Sequence, residues 1–192
     1  MLRDDDCFTF LFVGRIVRDK GLDELCEAFD RLSKEHSQAR LLLVGWREDG
    51  LDPVSDRTQA LMDSNPSINY VGEKRGEDLL AYYAAADCFV LPSYREGFPN
   101  TVLEAGAMGL PSIVTDINGS REIIVENENG YIVPPRDADA LLVAMRRMMN
   151  DGRRCSYMAS NARNMIGCRF EQGFVHQCLF DFYDAILGGE KV

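Results

Sequence analysis

Glu96-Gly97-Phe98-Pro99-Asn100-Thr101-Val102-Leu103-Glu104 follows the run Asp87-Cys88-Phe89-Val90-Leu91-Pro92-Ser93 and continues into Ala105-Gly106-Ala107-Met108. The apolar residues Cys88 to Leu91 read as a buried strand, Gly97 and Pro99 as a turn, and the residues from Asn100 to Met108 as a helix. The stretch is therefore a junction where the carboxyl end of a parallel strand meets the amino end of a helix. First-turn amides of such a helix have no internal partner and, with the helix dipole, favour an anion such as phosphate. Pro99 lacks an amide, so the donors come from Gly97, Phe98, Asn100 or Thr101. Glu96 and Glu104, acceptors when ionised, suit hydroxyl groups of a sugar and a ribose on either side of that anion.

A carboxylate is a poor neighbour for phosphate unless a cation stands close by. The segment Gly14-Arg15-Ile16-Val17-Arg18-Asp19-Lys20-Gly21 supplies one, after the apolar run Phe8-Thr9-Phe10-Leu11-Phe12-Val13 and before a helical pattern. Arg15 brings a planar fork and Lys20 a point charge, both suited to diphosphate oxygens. Gly14 and Gly97 would let a ligand approach the backbone closely, or serve only as turn formers.

Outward from these loops the chain alternates strand and helix patterns. Strands are expected near Thr9 to Val13, Arg40 to Val44, Ile68 to Val71, Cys88 to Leu91, Ser112 to Thr115 and Gly130 to Val133. Between them, Leu22, Leu25, Phe29 and Leu32 recur at helical spacing, as do Leu79, Leu80 and Tyr83, and Leu141, Met145 and Met148, all read as core faces. Asp137 can cap a helix from Ala138 to Asn150 that stops at Asn150-Asp151-Gly152. Two more helices follow, the last from about Glu171 to Leu187 with Phe174, Cys178, Phe182 and Ile186 in a stripe widened by Leu179 and Tyr183. The expected fold is an α/β, doubly wound, Rossmann-like parallel sheet of about six strands with helices on both faces, plus carboxyl-terminal helices.

Together these segments resemble the carboxyl-terminal, donor-binding half of a retaining group 1 (family 4) glycosyltransferase, a family of GT-B architecture with two facing Rossmann-like domains. The resemblance runs from about Phe8 to Leu187. It rests on Gly14-Arg15 with Lys20-Gly21, on Pro92-Ser93 followed by Glu96 and Glu104, on Glu104-Ala105 with Gly109-Leu110-Pro111, and on Gly119-Ser120-Arg121-Glu122 with Asn129-Gly130. Each is weak alone; their order and spacing are specific.

The resemblance implies a single nucleotide-sugar domain over residues 1–192, without the amino-terminal acceptor domain, as if cut at the interdomain linker. It implies transfer of a sugar from a nucleoside diphosphate sugar, UDP favoured over GDP, to an acceptor hydroxyl in bacterial surface polysaccharide or lipid-linked glycan synthesis. Glu96, Arg15 and Lys20 are then catalytic: Glu96 near the donor sugar, Arg15 and Lys20 neutralising the diphosphate and the leaving nucleotide. Gly14, Gly97, Phe98, Pro99, Asn100 and Thr101 shape the donor site, Glu104 binds the ribose, and the segment Val71-Gly72-Glu73-Lys74-Arg75, with Val71 and Lys74 in the site, holds the base through backbone groups. Gly119 to Glu122 is either a loop at the sugar and interdomain cleft or a helix start with an Arg121-Glu122 ion pair. The final helix reaches toward the partner domain, leaving part of its stripe exposed in this chain. No cofactor or metal is expected, the full-length enzyme is expected to associate peripherally with a membrane, and the domain alone to be inactive.

Other readings compete at several positions. Glu104 could merely complement a helix dipole, and Arg15 with Lys20 could be a solvated pair. Two carboxylates could mark a glycosidase, but those must flank one bond about 5 to 10 Å apart. An epimerase or phosphorylase of the same architecture, a dinucleotide oxidoreductase and a noncatalytic sugar-nucleotide binding domain are the rivals for function. The oxidoreductase lacks its Gly-x-Gly-x-x-Gly fingerprint after the first strand, and no lysine for a phosphorylase cofactor stands out.

The 192 residues and 46% hydrophobic content suit one soluble domain with a real core. A net charge of -10 argues against a broad nucleic-acid interface. The six cysteines lack metal-ligand spacing and read as reduced thiols, while His36 and His176 have no partner at ligand spacing. With no signal peptide or membrane-spanning run, a cytoplasmic location is expected, the inner face of the plasma membrane being the place for the full-length protein. Trp46, Tyr82, Tyr83 and Tyr131 read as packing residues ahead of ligand platforms and are assigned no site role.

Overall fold

The computed structural model describes Asp4 and residues 6–48 and 50–187. Six parallel strands form one sheet: β1 (Phe8–Val13), β2 (Ala39–Val44), β3 (Ile68–Tyr70), β4 (Cys88–Leu91), β5 (Ser112–Thr115) and β6 (Gly130–Val133). Their spatial order is β3-β2-β1-β4-β5-β6. The direction of winding reverses between β1 and β4, so the loops leaving those two strands part in opposite directions and open a crevice at their carboxyl ends. These are the two loops that carry Arg15 with Lys20 and Glu96 with Asn100. Right-handed crossovers then put the helices after β1 and β2 on one face and those after β3 and β4 on the other.

The strands are apolar because both faces are covered. Phe10, Leu11, Phe12, Leu41, Leu43, Phe89, Val90 and Val114 are buried completely. β1 and β2 each begin one residue before the expected start. β3 stops at Tyr70: Val71 N–H still donates to Leu43 O, and Gly72, at φ +74°, then turns the chain away.

Helix α1 (Leu22–Glu35) buries Leu22, Leu25, Phe29 and Leu32 completely, as their spacing requires. It packs between α2 (Asp56–Ser64) and α6 (Ala138–Asn150). Asp137 caps α6 by accepting from Ala140 N–H at 2.8 Å, and Leu141, Met145 and Met148 face the core. Asp151 ends that helix and caps the next, α7 (Gly152–Phe170), through Arg154 N–H at 3.0 Å. On the opposite face lie α3 (Gly76–Ala85) and α4 (Asn100–Ala107), with α7 packed on α4. A short helix, α5 (Ser120–Ile123), follows β5.

Three readings are corrected. Leu80 is half-exposed, because Leu79 and Tyr83, four apart, own the inward stripe and the neighbouring leucine points elsewhere. Arg121 pairs not with Glu122 but with Asp116 at 3.1 Å and Asn118 at 2.7 Å, on the loop before its helix. Trp46 is not a packing residue: it is 54% exposed. The last helix, α8 (Gln172–Leu187), has no buried residue, and Phe174, Leu179, Phe182, Tyr183 and Ile186 are each about half-exposed. The cysteines are all free thiols, Cys26 and Cys88 in the core and Cys168 and Cys178 exposed. Among the described residues no helix is long and apolar enough to cross a membrane.

Candidate functional site

The crevice between β1 and β4 is a cavity of about 250 Å³ lined by Val13, Gly14, Arg15, Lys20, Leu91, Glu96, Phe98, Pro99, Asn100 and Thr101. Eight sequence-predicted residues thus line one cavity. Gly97 lines an adjoining recess with Arg15, Asp19, Lys20, Arg95 and Glu96. A third recess, about 610 Å³, runs past Arg15 along Arg18, Asp52, Tyr94 and Arg136.

Gly21 sets the distance between the two walls. It adopts φ +72° at the start of α1, and a Cβ there would lie 2.0 Å from the Pro92 carbonyl oxygen. The loops are also stitched together: Tyr94 N–H donates to Asp19 O at 2.9 Å, and Asp19 N–H to Asp52 Oδ2 at 2.7 Å. This brings Lys20 Nζ to 2.7 Å from Glu96 Oε1. The buried Ser93 hydroxyl donates to the same oxygen at 2.7 Å. Both bonds end on Oε1, so Glu96 is held in place, while Oε2 has no hydrogen-bond partner among the described residues and can accept from a ligand. Both side chains are largely shielded from water, so the pair is screened less than a surface one.

Arg15 is half-exposed and bonds to Glu48 Oε2 at 3.0 Å, a single contact that leaves most of its donors available. Pro99 occupies the N-cap of α4 and no side chain caps that helix. The Asn100 and Thr101 amides, with no earlier turn to pair with, therefore face the cavity they line. A Cβ at Gly14 would touch the Phe12 ring at 3.0 Å, whereas one at Gly97 would meet nothing within 4 Å. The loop of Gly119 does reach this site: at φ +80°, a Cβ on Gly119 would lie 2.4 Å from Gly97 O.

Glu104 lies outside the cavity, about one turn beyond Thr101 and exposed on α4. It is the fifth helical residue, past the first turn, which argues against mere dipole complementation. Tyr83, on α3, donates its hydroxyl to Glu104 Oε2 at 2.8 Å. Burial first, then the bond to Glu104 and its charge, push the Tyr83 phenol well above its ordinary pKa, so it remains a donor. Val71 and Lys74 also lie apart from the cavity, on a loop tied to the end of β2 by Gly45 N–H donating to Gly72 O at 3.0 Å.

The sequence assigned no part in the site to Glu48, read Tyr83 only as a core residue, and gave Ser93 no partner. Ser93 is three residues before Glu96, a spacing at which a hydroxyl reaches a carboxylate across a turn, so that signal was legible. Tyr83 and Glu104 are 21 positions apart on different helices, and no local pattern joins them. Among the described residues no group of three or more His, Cys, Asp or Glu could hold a metal ion.

The sequence profile of the family described as glycosyl transferases group 1 matches residues 2–165. The capsular polysaccharide biosynthesis glycosyltransferase CapM of Staphylococcus aureus is 28% identical over 183 residues, which are 95% of this chain and 47% of that protein. Sucrose-phosphate synthase from Thermosynechococcus elongatus superposes with a TM-score of 0.81 at 29% identity, covering 96% of this chain and 47% of that one. The fold is also that of Anabaena Alr3699/HepE, solved in complex with UDP, with a TM-score of 0.83 at 21% identity over 94% of this chain and 49% of that one. The chain spans about half the length of these relatives.

Proposed function

This chain belongs to the group 1 glycosyl transferases, and we propose that it is the half of such an enzyme that holds a nucleoside diphosphate sugar. The observation that carries this reading is the cavity in which the Lys20–Glu96 pair, at 2.7 Å, faces Arg15 and the uncapped amino end of α4. A diphosphate seated there meets the remaining donors of Arg15 and a helix dipole, and the charge of the carboxylate beside it is balanced by Lys20. Glu96 accepts from hydroxyls of the donor sugar through Oε2. As the glycosidic bond breaks, negative charge builds on the departing nucleotide, and Arg15, Lys20 and the Asn100 and Thr101 amides are fixed where that charge develops. The charge is met by these groups rather than by a metal or cofactor.

Glu104, oriented by Tyr83, accepts from the ribose hydroxyls, and the 71–74 loop holds the base. UDP is preferred over GDP, a choice supported by the UDP complex of the Anabaena neighbour. The acceptor hydroxyl enters from a second domain, in keeping with this chain's span of about half the length of its relatives. Transfer keeps the anomeric configuration and serves a bacterial surface polysaccharide or lipid-linked glycan, as the name of the Staphylococcus aureus relative supports. The full-length enzyme works in the cytoplasm, peripherally on the membrane.

Calorimetric titration of the chain with UDP and GDP tests this reading. UDP is expected to bind, with Arg15→Ala and Glu104→Ala each weakening it about tenfold or more, as for loss of a charge-assisted hydrogen bond. Equal affinity in wild type and both variants would sink the assignment.

A further inference from the structure

Trp46 stands beside Arg15. β1 and β2 remain in register beyond their ends, with Val13 opposite Val44 and Ile16 opposite Arg47, so Arg15 is opposite Trp46. Ile16 N–H donates to the Trp46 carbonyl at 2.8 Å, which fixes the backbone there. Residues level with one another on neighbouring strands project to the same face, with the strands about 4.8 Å apart. Just beyond, Gly45 is bonded to both Gly72 O and the Tyr70 hydroxyl, at 3.0 and 3.2 Å. Trp46 thus sits at the carboxyl rim of the sheet between the proposed diphosphate cation and the 71–74 loop, as an exposed residue.

A nucleoside diphosphate is anionic at one end and aromatic at the other. If Arg15 takes the anionic end, the base lies several ångströms away, and an exposed, backbone-fixed indole one strand over offers it an aromatic face. A rigid aromatic loses little entropy on stacking, and base stacking tolerates any base. We infer that Trp46 is the stacking platform for the nucleobase of the donor; this deepens the donor-site reading and rests on it.

The chain contains one tryptophan, so its fluorescence, excited where tyrosine does not absorb, reports on Trp46 alone. UDP is expected to quench it, while inorganic pyrophosphate binds calorimetrically without quenching. Trp46→Leu should weaken UDP about tenfold and leave pyrophosphate unchanged, with Trp46→Phe restoring most of the loss. UDP binding without quenching, together with unchanged UDP affinity in Trp46→Leu, overturns the inference and leaves the donor site standing. Equal loss of UDP and pyrophosphate in a folded Trp46→Leu chain shows a structural role and also overturns it. No calorimetric binding of UDP to folded wild type overturns the donor-site reading, and the inference with it.

Discussion

Tyr83 shows how one residue can couple the fold to the site. Its ring packs in the core near Phe89 while its hydroxyl reaches Glu104 Oε2, so the donor side of the pair is buried and the acceptor side open to a ligand. Because burial and Glu104 raise the phenol's pKa, the folded state holds this proton more tightly than the unfolded chain does. The resulting stability is fully present below the unfolded tyrosine pKa of about 10 and is lost as pH rises above it. Tyr83→Phe should cost roughly 1.5–3 kcal/mol near neutral pH, for loss of a hydrogen bond to a charged group. It should also decline less steeply than wild type from about pH 10 upward. Urea denaturation across that range checks both, and parallel alkaline limbs would refute the coupling. Ser93 acts at the same scale on Glu96: the sequence displayed both residues, but not that one carboxylate oxygen would receive both Ser93 and Lys20.

At the scale of elements, the loops after β1 and β4 are built against each other, through Tyr94 N–H to Asp19 O, Lys20 to Glu96 and the approach of Gly21 to Pro92. Gly21 is needed because Pro92 O comes too close for any side chain and the backbone is left-handed there; Gly97, in open space, has no such constraint. Gly21→Ala is therefore expected to destabilise the chain by well over ~1 kcal/mol, and Gly97→Ala to change stability by less than about 0.5 kcal/mol. Urea midpoints of the two variants measure the contrast, and equal midpoints would mean that the crevice walls yield more easily than the close contact implies. The strands were legible because a doubly covered parallel strand is an unbroken apolar run, and α1 and α6 because their apolar stripes and the Asp137 cap are local signals. Leu80, Trp46 and the partner of Arg121 were misread because spacing alone does not show side-chain direction or the path of the backbone: a neighbouring leucine has the better angle, β2 runs on past its apolar residues, and an aspartate on the preceding loop is in reach. The candidate site was legible in the same measure. Its charged and glycine residues stood in two quotable segments, whereas the topology that sets those segments side by side is long-range.

Across the whole molecule, stability and the site draw on the same body and α8 stands apart from both. The core runs through the sheet, α1, α4, α6 and the inner face of α7, where Met158, Ala162 and Ile166 are buried. α7 also touches the site directly, since Phe170 packs edge-on against Phe98 at a centroid distance of 5.6 Å. α8, immediately after, buries no residue, although its aromatic and aliphatic side chains make it one of the most apolar helices in the chain. Hydrophobic stabilisation follows area removed from water, and half-exposed side chains on an otherwise solvated helix remove little. Ending the chain after Glu171 should therefore leave Tm within about 4 °C of the full chain, the shift expected for ~1 kcal/mol in a domain of this size. UDP affinity should change by less than about twofold, well under 1 kcal/mol. A larger fall in Tm by calorimetry would show that α8 packs on the domain in solution. Loss of UDP binding at unchanged Tm would show instead that α8 contributes to the donor site, which the Phe98–Phe170 contact assigns to α7.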